Sequence, residues 1–378
     1  MEAKWINLKD ISAYRSELMG WSILWVMMLH FTFNQIKPLG FIAQYGFAGV
    51  DIFLFVSGFG LFYSLEKDSN LLHFYKKRVL RIIPTYYLLG FIINLLLTHD
   101  DILTFIFRYS TIGFWIGKEY AEWFIPSLIL LYCVSPFLKT LIDKKYFALI
   151  GTVALFIYIV AYVFTDKEHI MDRSHFFLLY RIPAFILGMI CAYWLKNNIS
   201  SNYFFFLLLL GLPFFMYFFP FHHQIYNFKY FSLAFLLPLF VSIFILLSKY
   251  LKWLSPILKR MGEASLEIYL IQGYFFALVL NGTTSPYSEW HDVLSILMIL
   301  ISTILGIVTH WIIDSLFLRK SIFHWEFFLS SCGAQLNPVH DAVFAALTLE
   351  GKLRTGQDAA YATEGADLFA IALEGSLQ

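Results

Sequence analysis

Met19-Gly-Trp-Ser-Ile-Leu-Trp-Val-Met-Met-Leu-His30 and Gly49-Val-Asp-Ile-Phe-Leu-Phe-Val-Ser-Gly58 are the two stretches on which the reading of this chain turns. Each is an apolar run of helical length that carries one ionisable side chain, His30 in the first and Asp51 in the second. Ionisable groups are expensive in hydrocarbon, so those that occur there face the bundle interior and mark a functional path.

Composition supports the hydrocarbon setting. Of 378 residues, 59% are hydrophobic and 14% charged, with 42 Phe, 23 Tyr and 10 Trp and a mean hydropathy of +0.68. A soluble domain carries roughly 25% charged residues. The expected class is therefore an all-α, polytopic membrane helical bundle. The net charge of +1 says little about partners. Cys133, Cys191 and Cys332 form no C-x-x-C pair, so neither a disulfide framework nor a metal site is expected. No cleavable signal peptide is expected, because the first apolar run is followed by charges and further apolar runs.

A span needs about 20 mostly apolar residues. About ten transmembrane helices are expected, at Leu18–Gln35, Gly46–Leu65, Val79–Thr98, Ala121–Leu141, Tyr146–Phe164, Phe176–Leu195, Tyr203–Phe219, Tyr230–Leu247, Ala264–Leu280 and Val293–Leu318. Prolines at 84, 126, 183 and 213 are compatible with spans inside a bundle. With the N-terminus inside, the inner loops collect about fifteen Lys and Arg and the outer loops about six. This predicts a multi-pass protein of the cell membrane with both termini cytoplasmic. Asp100–Tyr120 reads as an outer loop with a partly embedded helix. Residues 1–329 form the expected membrane domain, and 330–378, poor in aromatics, a short polar cytoplasmic tail with no part in the chemistry.

His30 and Asp51 each lie about five residues from the outer ends of the first two expected spans, or about 7–8 Å deep. That matched depth lets them hydrogen-bond, with Asp51 fixing the tautomer of His30 so that it can deprotonate a hydroxyl. A polar pair that only fastens two helices is the competing reading. Arg78 and Arg81 share a helix face at i and i+3 and suit a phosphate-rich ligand; a basic loop that satisfies topology and meets anionic lipid is the alternative. Arg181, inside an apolar run, needs a carboxylate or an anion. His310 and Asp314, four apart, are read as satisfying each other.

Taken in order, the strings Gly20-Trp-Ser-Ile-Leu-Trp-Val-Met-Met-Leu-His30, Gly49-Val-Asp-Ile-Phe-Leu-Phe-Val-Ser-Gly58, Arg78-Val-Leu-Arg-Ile-Ile-Pro84, Glu122-Trp-Phe-Ile-Pro126, Arg181-Ile-Pro-Ala-Phe-Ile-Leu-Gly188 and Gly262-Glu-Ala-Ser-Leu-Glu-Ile-Tyr-Leu-Ile-Gln272 resemble the acyltransferase 3 family of integral membrane O-acyltransferases. The resemblance implies transfer of an acyl group, often acetyl, from cytoplasmic acyl-CoA as co-substrate to a hydroxyl of a surface or lipid-linked glycan. It implies His30 as the catalytic group with Asp51 beside it, and Arg78 and Arg81 as acyl-donor-binding residues. Arg181 is a further donor-side candidate, and Ser57, Glu122 and Trp123 are acceptor or oxyanion candidates. The implied partners are the lipid bilayer, acyl-CoA and a glycan acceptor, with no nucleic acid.

The chain departs from the family at two places. The family usually has an arginine eleven residues before the histidine, where this chain has Met19; Arg15, one turn earlier, takes that role. Gln272 stands where a histidine is usual. A multi-span transporter or flippase, or an inactive member of the fold, are the rival readings.

Overall fold

The computed structural model describes residues 7–31, 33, 35–68, 70–115, 123–164, 175–200, 202, 207, 228–280 and 291–318. Among them there is no strand, and most are helical. Its compact unit runs from Met1 to Asp314, and a second unit comprises Ser315–Gln378. The expected seventh span (residue 207 apart), Glu122, Pro213, Cys332 and the tail at 330–378 lie outside the described residues.

The helices of the first unit are α1 (Leu8–Ala13), α2 (Arg15–Phe31), α3 (Lys37–Ala43), α4 (Ala48–Lys67), α5 (Leu71–Ile93), α6 (Ile102–Tyr109), α7 (Ile112–Trp115), α8 (Phe124–Asp143), α9 (Phe147–Phe164), α10 (His175–Leu179), α11 (Ile182–Lys196), α12 (Phe228–Tyr250), α13 (Ser255–Glu263), α14 (Ser265–Leu280) and α15 (His291–Ile313). Their starts follow local chemistry. Asn7 and Asp10 form a reciprocal capping box on α1, and Asn70 and Asp101 cap α5 and α6 with side-chain oxygens. Pro126 and Pro183 fall in the first turns of α8 and α11, where a missing N–H costs nothing. Helices α6 and α7 occupy the expected outer-loop region.

Among the described residues, five stretches are long and apolar enough to cross a membrane: Ala48–Lys67, Leu71–Leu96, Phe124–Asp143, Phe177–Lys196 and His291–Leu316. Shorter apolar helical stretches lie at Phe147–Ile157 and Leu236–Tyr250. The helix bearing His30 has 17 residues, about 26 Å of rise. Large apolar side chains point outward on several helices, among them Phe91, Leu95, Phe137, Phe156 and Trp311, as surfaces facing lipid do.

Helix α4 is the most enclosed element and packs against α2 and α11. Missing side chains let the backbones meet. A Cβ on Gly58 would stand 2.2 Å from the Phe185 carbonyl oxygen, and one on Gly188 2.0 Å from that of Phe55. The contact is reciprocal, so no alanine fits at either position without separating α4 from α11. Helices α2 and α13 meet the same way through Gly20 and Gly262. Hydrocarbon does not drive helices together, so small residues that permit close van der Waals contact carry the association.

A buried charge cluster ties α5, α14 and α15. The Glu267 carboxylate, fully buried, accepts from the Arg81 guanidinium at 2.5 and 3.1 Å and from Thr85 at 3.4 Å, and His310 Nδ1 lies 3.3 Å away. His310 thus faces Glu267 of another helix, where the sequence paired it with Asp314. Arg81 also donates to the Glu263 carbonyl at 2.8 Å. Removing one member strands a buried charge. Glu267→Ala is expected to cost about 3–5 kcal/mol in detergent denaturation, and Arg81→Met combined with Glu267→Leu to recover most of it.

Candidate functional site

Two cavities open between α2, α4, α5, α8 and the α13–α14 corner. One, of about 300 Å³, is lined by Arg15, Ser57, Gly60, Leu61, Tyr63, Ser64, Lys67, Arg78 and Tyr132. The other, of about 250 Å³, has Met19, Phe53, Ile82, Phe124, Leu128, Leu266 and Tyr269 among its walls, with Arg15, Ser57, Arg81 and Tyr132. The first is polar and cationic and the second mainly apolar. Arg15, Ser57 and Tyr132 line both.

The cationic cavity sits at the end of the bundle where other charges are neutralised. Glu66 pairs with Lys139 and Lys196, Asp143 with Lys139, and Asp10 with Lys249. Buried Glu17 accepts from Ser255 at 2.8 Å and lies 3.5 Å from Lys259. Among the described residues, no carboxylate pairs with Arg15 or Arg78. Arg78 lies over the Phe74 ring at 5.1 Å, its Nε without a hydrogen-bond partner, and it feels the charge of Arg15. Space for Arg15 comes from Gly60, where a Cβ would stand 2.6 Å from a guanidinium nitrogen. Two unanswered guanidinium groups facing one hollow favour an anion with several oxygens.

The sequence grouped Arg78 with Arg81. The structure divides them: Arg81 holds Glu267, and Arg15 is the partner that shares Arg78's cavity. Met19, at the position where the family has its arginine, lines the adjoining apolar cavity.

His30 and Asp51 are not at matched depth. Gly46 lies against the Trp25 carbonyl and Gly49 against that of Ser22, so a step up one helix is matched by a step down the other. This register sets Asp51 level with Gly20, ten residues short of His30 and about 15 Å along the helix. The cause is α3. The connection does not turn at the end of α2 but folds back beside it, so that the Trp25 indole donates to the Ile42 carbonyl at 2.8 Å before α4 begins. Asp51 instead faces Arg181 at 3.8 Å. Arg181, buried, donates to the Phe177 carbonyl at 2.9 Å and lies 4.9 Å from the Trp123 ring centre. Asp51 is thus the carboxylate that Arg181 required, and Trp123 is its aromatic floor. Neither Asp51 nor Arg181 lines the two cavities.

The partner of His30 is Gln272, with Oε1 2.6 Å from Nδ1. A carboxamide oxygen accepts, so Nδ1 carries the proton and Nε2 the basic lone pair. The surrounding end of α2 is held by α15: Asp292 accepts from the backbone N–H groups of Gln35 and Ile36 at 3.0 and 2.7 Å, and Ser295 donates to the Phe31 carbonyl at 2.5 Å. Composition and spacing did not single out Asp292, Ser295, Tyr132 or Glu267; their importance comes from contacts remote in sequence. His30 lines neither cavity. Ile23, Met27, Phe53 and Ile268, one packed cluster, lie between the apolar cavity and the His30 end of α2. A third hollow, about 870 Å³ and lined by side chains such as Trp21, Trp25, Phe240 and Phe244, has apolar walls and offers nothing to an anion.

Comparison with known proteins places the chain in a family. The acyltransferase domain family (Acyl_transf_3) matches residues 18–314. A curated protein of Acidianus two-tailed virus named "Putative acetyltransferase ORF330" is 28% identical over 197 residues, covering 48% of this chain and 58% of its own length. The chain thus spans little more than half of that relative. No solved structure matches. With a family match over most of its length, from within α2 before His30 through α15, the chain belongs to the acyltransferase 3 family of membrane proteins.

Proposed function

We propose that the protein transfers an acyl group, acetyl in the simplest case, from acyl-CoA to a hydroxyl of a surface or lipid-linked glycan at the cell membrane, with both termini cytoplasmic. The observation that carries this reading is the pair of cavities that share Arg15, Ser57 and Tyr132: two guanidinium groups that pair with no carboxylate among the described residues line one, and mainly apolar side chains line the other. A donor with a phosphorylated head, a long arm and a small apolar terminus matches that sequence of environments.

In this reading Arg15, Arg78 and Lys67 hold the phosphates. The arm passes into the chamber formed by Met19, Phe53, Phe124 and Tyr269. From Arg15 to His30 is fifteen residues of α2, about 22 Å, so a long arm is needed between head and reacting carbonyl. The packed cluster of Ile23, Met27 and Phe53 lies along that stretch, so this reading requires those side chains to move aside when the donor enters. At the far end Nε2 of His30 takes the proton of the acceptor hydroxyl as its oxygen attacks the thioester carbonyl. The tetrahedral intermediate then expels the thiolate, which receives the proton from the imidazolium. Gln272 keeps the ring in the productive tautomer. Asp51 keeps Arg181 in place, and the pair is assigned a supporting role in shaping the bundle core beside Trp123. Glu122, next to Trp123 in sequence, remains an acceptor-side candidate.

Three measurements test the reading. Mass spectrometry of surface glycans from cells with and without the gene should differ by one acyl unit; identical glycans would remove the proposed acceptor class. His30→Ala, assayed in membranes containing folded protein, should lower transfer at least about 100-fold, and undiminished transfer would eliminate the proposed base. Arg15→Ala and Arg78→Ala should each raise the KM for acyl-CoA by about tenfold or more while leaving kcat within a few fold, as loss of a charge-assisted contact to the donor head requires. A KM unchanged in both variants would refute the assignment of the cationic cavity.

A further inference from the structure

The two cavities meet at three side chains, and two of those are hydroxyls that the protein leaves unused. Ser22, Ser127, Ser135 and Ser248 turn their hydroxyls back onto carbonyls of their own helices at 2.6–2.8 Å, whereas buried Ser242 and Ser302, which line neither cavity, lack a hydrogen-bond partner among the described residues. The Ser57 hydroxyl, halfway along α4, also makes no hydrogen bond with a described residue, but it faces both cavities. The Tyr132 hydroxyl, on α8, likewise has no protein partner and faces both cavities, within electrostatic reach of Arg15, Arg78 and Arg81. Both residues are only partly buried and turn toward hollows, so their hydroxyls are open to the polar atoms of a ligand. A pair of them at the passage from a cationic hollow to an apolar one suits a ligand that is charged on one side, apolar on the other and polar but uncharged between.

We propose that Ser57 and Tyr132 form a recognition point for the amide-bearing arm of the acyl donor, separate from the arginines that hold its phosphates. This rests on the donor reading above and adds to it the part of the donor that the junction reads. A secondary amide offers one N–H and one carbonyl, and a serine and a phenol facing one passage supply an acceptor and a donor for them. An arm without amides gains nothing there beyond van der Waals contact. The hydroxyls therefore separate an amide-containing arm from a plain alkyl phosphate of similar length.

Binding to the purified full-length protein in detergent tests this with two probes: coenzyme A, and adenosine 3′,5′-bisphosphate, which is the head less one phosphate of its diphosphate and without the arm. Tyr132→Phe keeps the ring and removes only the hydroxyl; Ser57→Ala is the second variant, on a different helix. Each should weaken coenzyme A about three- to tenfold and leave adenosine 3′,5′-bisphosphate unchanged, whereas Arg15→Ala should weaken both probes. Equal losses for both probes in the hydroxyl variants, or no loss for coenzyme A in either, would overturn the recognition point while the donor site stands. If the unaltered protein bound neither probe, the donor reading itself would fall, and this inference with it.

Discussion

The backbones of α2 and α4 touch where Gly46 and Gly49 offer no side chain, and that contact sets the register of the whole centre of the bundle. A helix pair locked backbone to backbone cannot slide by a turn without driving carbonyl oxygens into Cβ atoms. Once the register is set, the polar groups on the two helices have no choice of neighbours. Asp51 arrives beside Arg181 on α11, itself pressed against α4 through Gly58 and Gly188. His30 arrives at the other end of α2, opposite Gln272 of α14. His30 and the buried carboxylate Asp51 are thereby separated, and a carboxamide lies against the imidazole instead.

Buried charge is the second constraint. Glu267 is surrounded by Arg81, Thr85 and His310, Arg181 by Asp51, the Phe177 carbonyl and Trp123, and Glu17 by Ser255 and Lys259. Each arrangement compensates a group that hydrocarbon would otherwise expel. Against that background Arg15 and Arg78 are the exception that matters. Evolution or chance could leave a surface arginine unpaired at no cost, but two guanidinium groups around one hollow repel each other, and an anionic ligand relieves that repulsion. The Arg78-Val-Leu-Arg81 string divides by the same logic: both arginines line a cavity, but among the described residues only Arg81 has a carboxylate within reach and braces helices with it.

Much of the architecture was legible from sequence. Apolar runs, the glycines within them and the basic clusters between them point to a helical membrane bundle, and the family strings point to acyl transfer. Arg181 inside an apolar run signalled a buried counter-charge. The pairing of His30 with Asp51 was the natural inference from two helices joined by a short loop, and it failed because α3 folds back along α2, a tertiary packing event with no signature in spacing. His310 with Asp314 failed for a related reason: a partner four residues away on one helix competes with every group that neighbouring helices present, and Glu267 is fully buried at the position that wins.

The amino-acid sequence by itself determined that this chain lives in lipid, that it is helical, and which side chains are too costly there to be idle, because those properties depend on transfer free energies and local periodicity. Only the tertiary structure decided which of those side chains meet. The contact of His30 with Gln272 spans 242 positions and that of Arg81 with Glu267 spans 186, and no local rule reaches so far. Hydrogen bonds and ion pairs act over a few ångströms, so their partners are chosen by helix register and crossing, and those are set by where glycine lets two backbones touch.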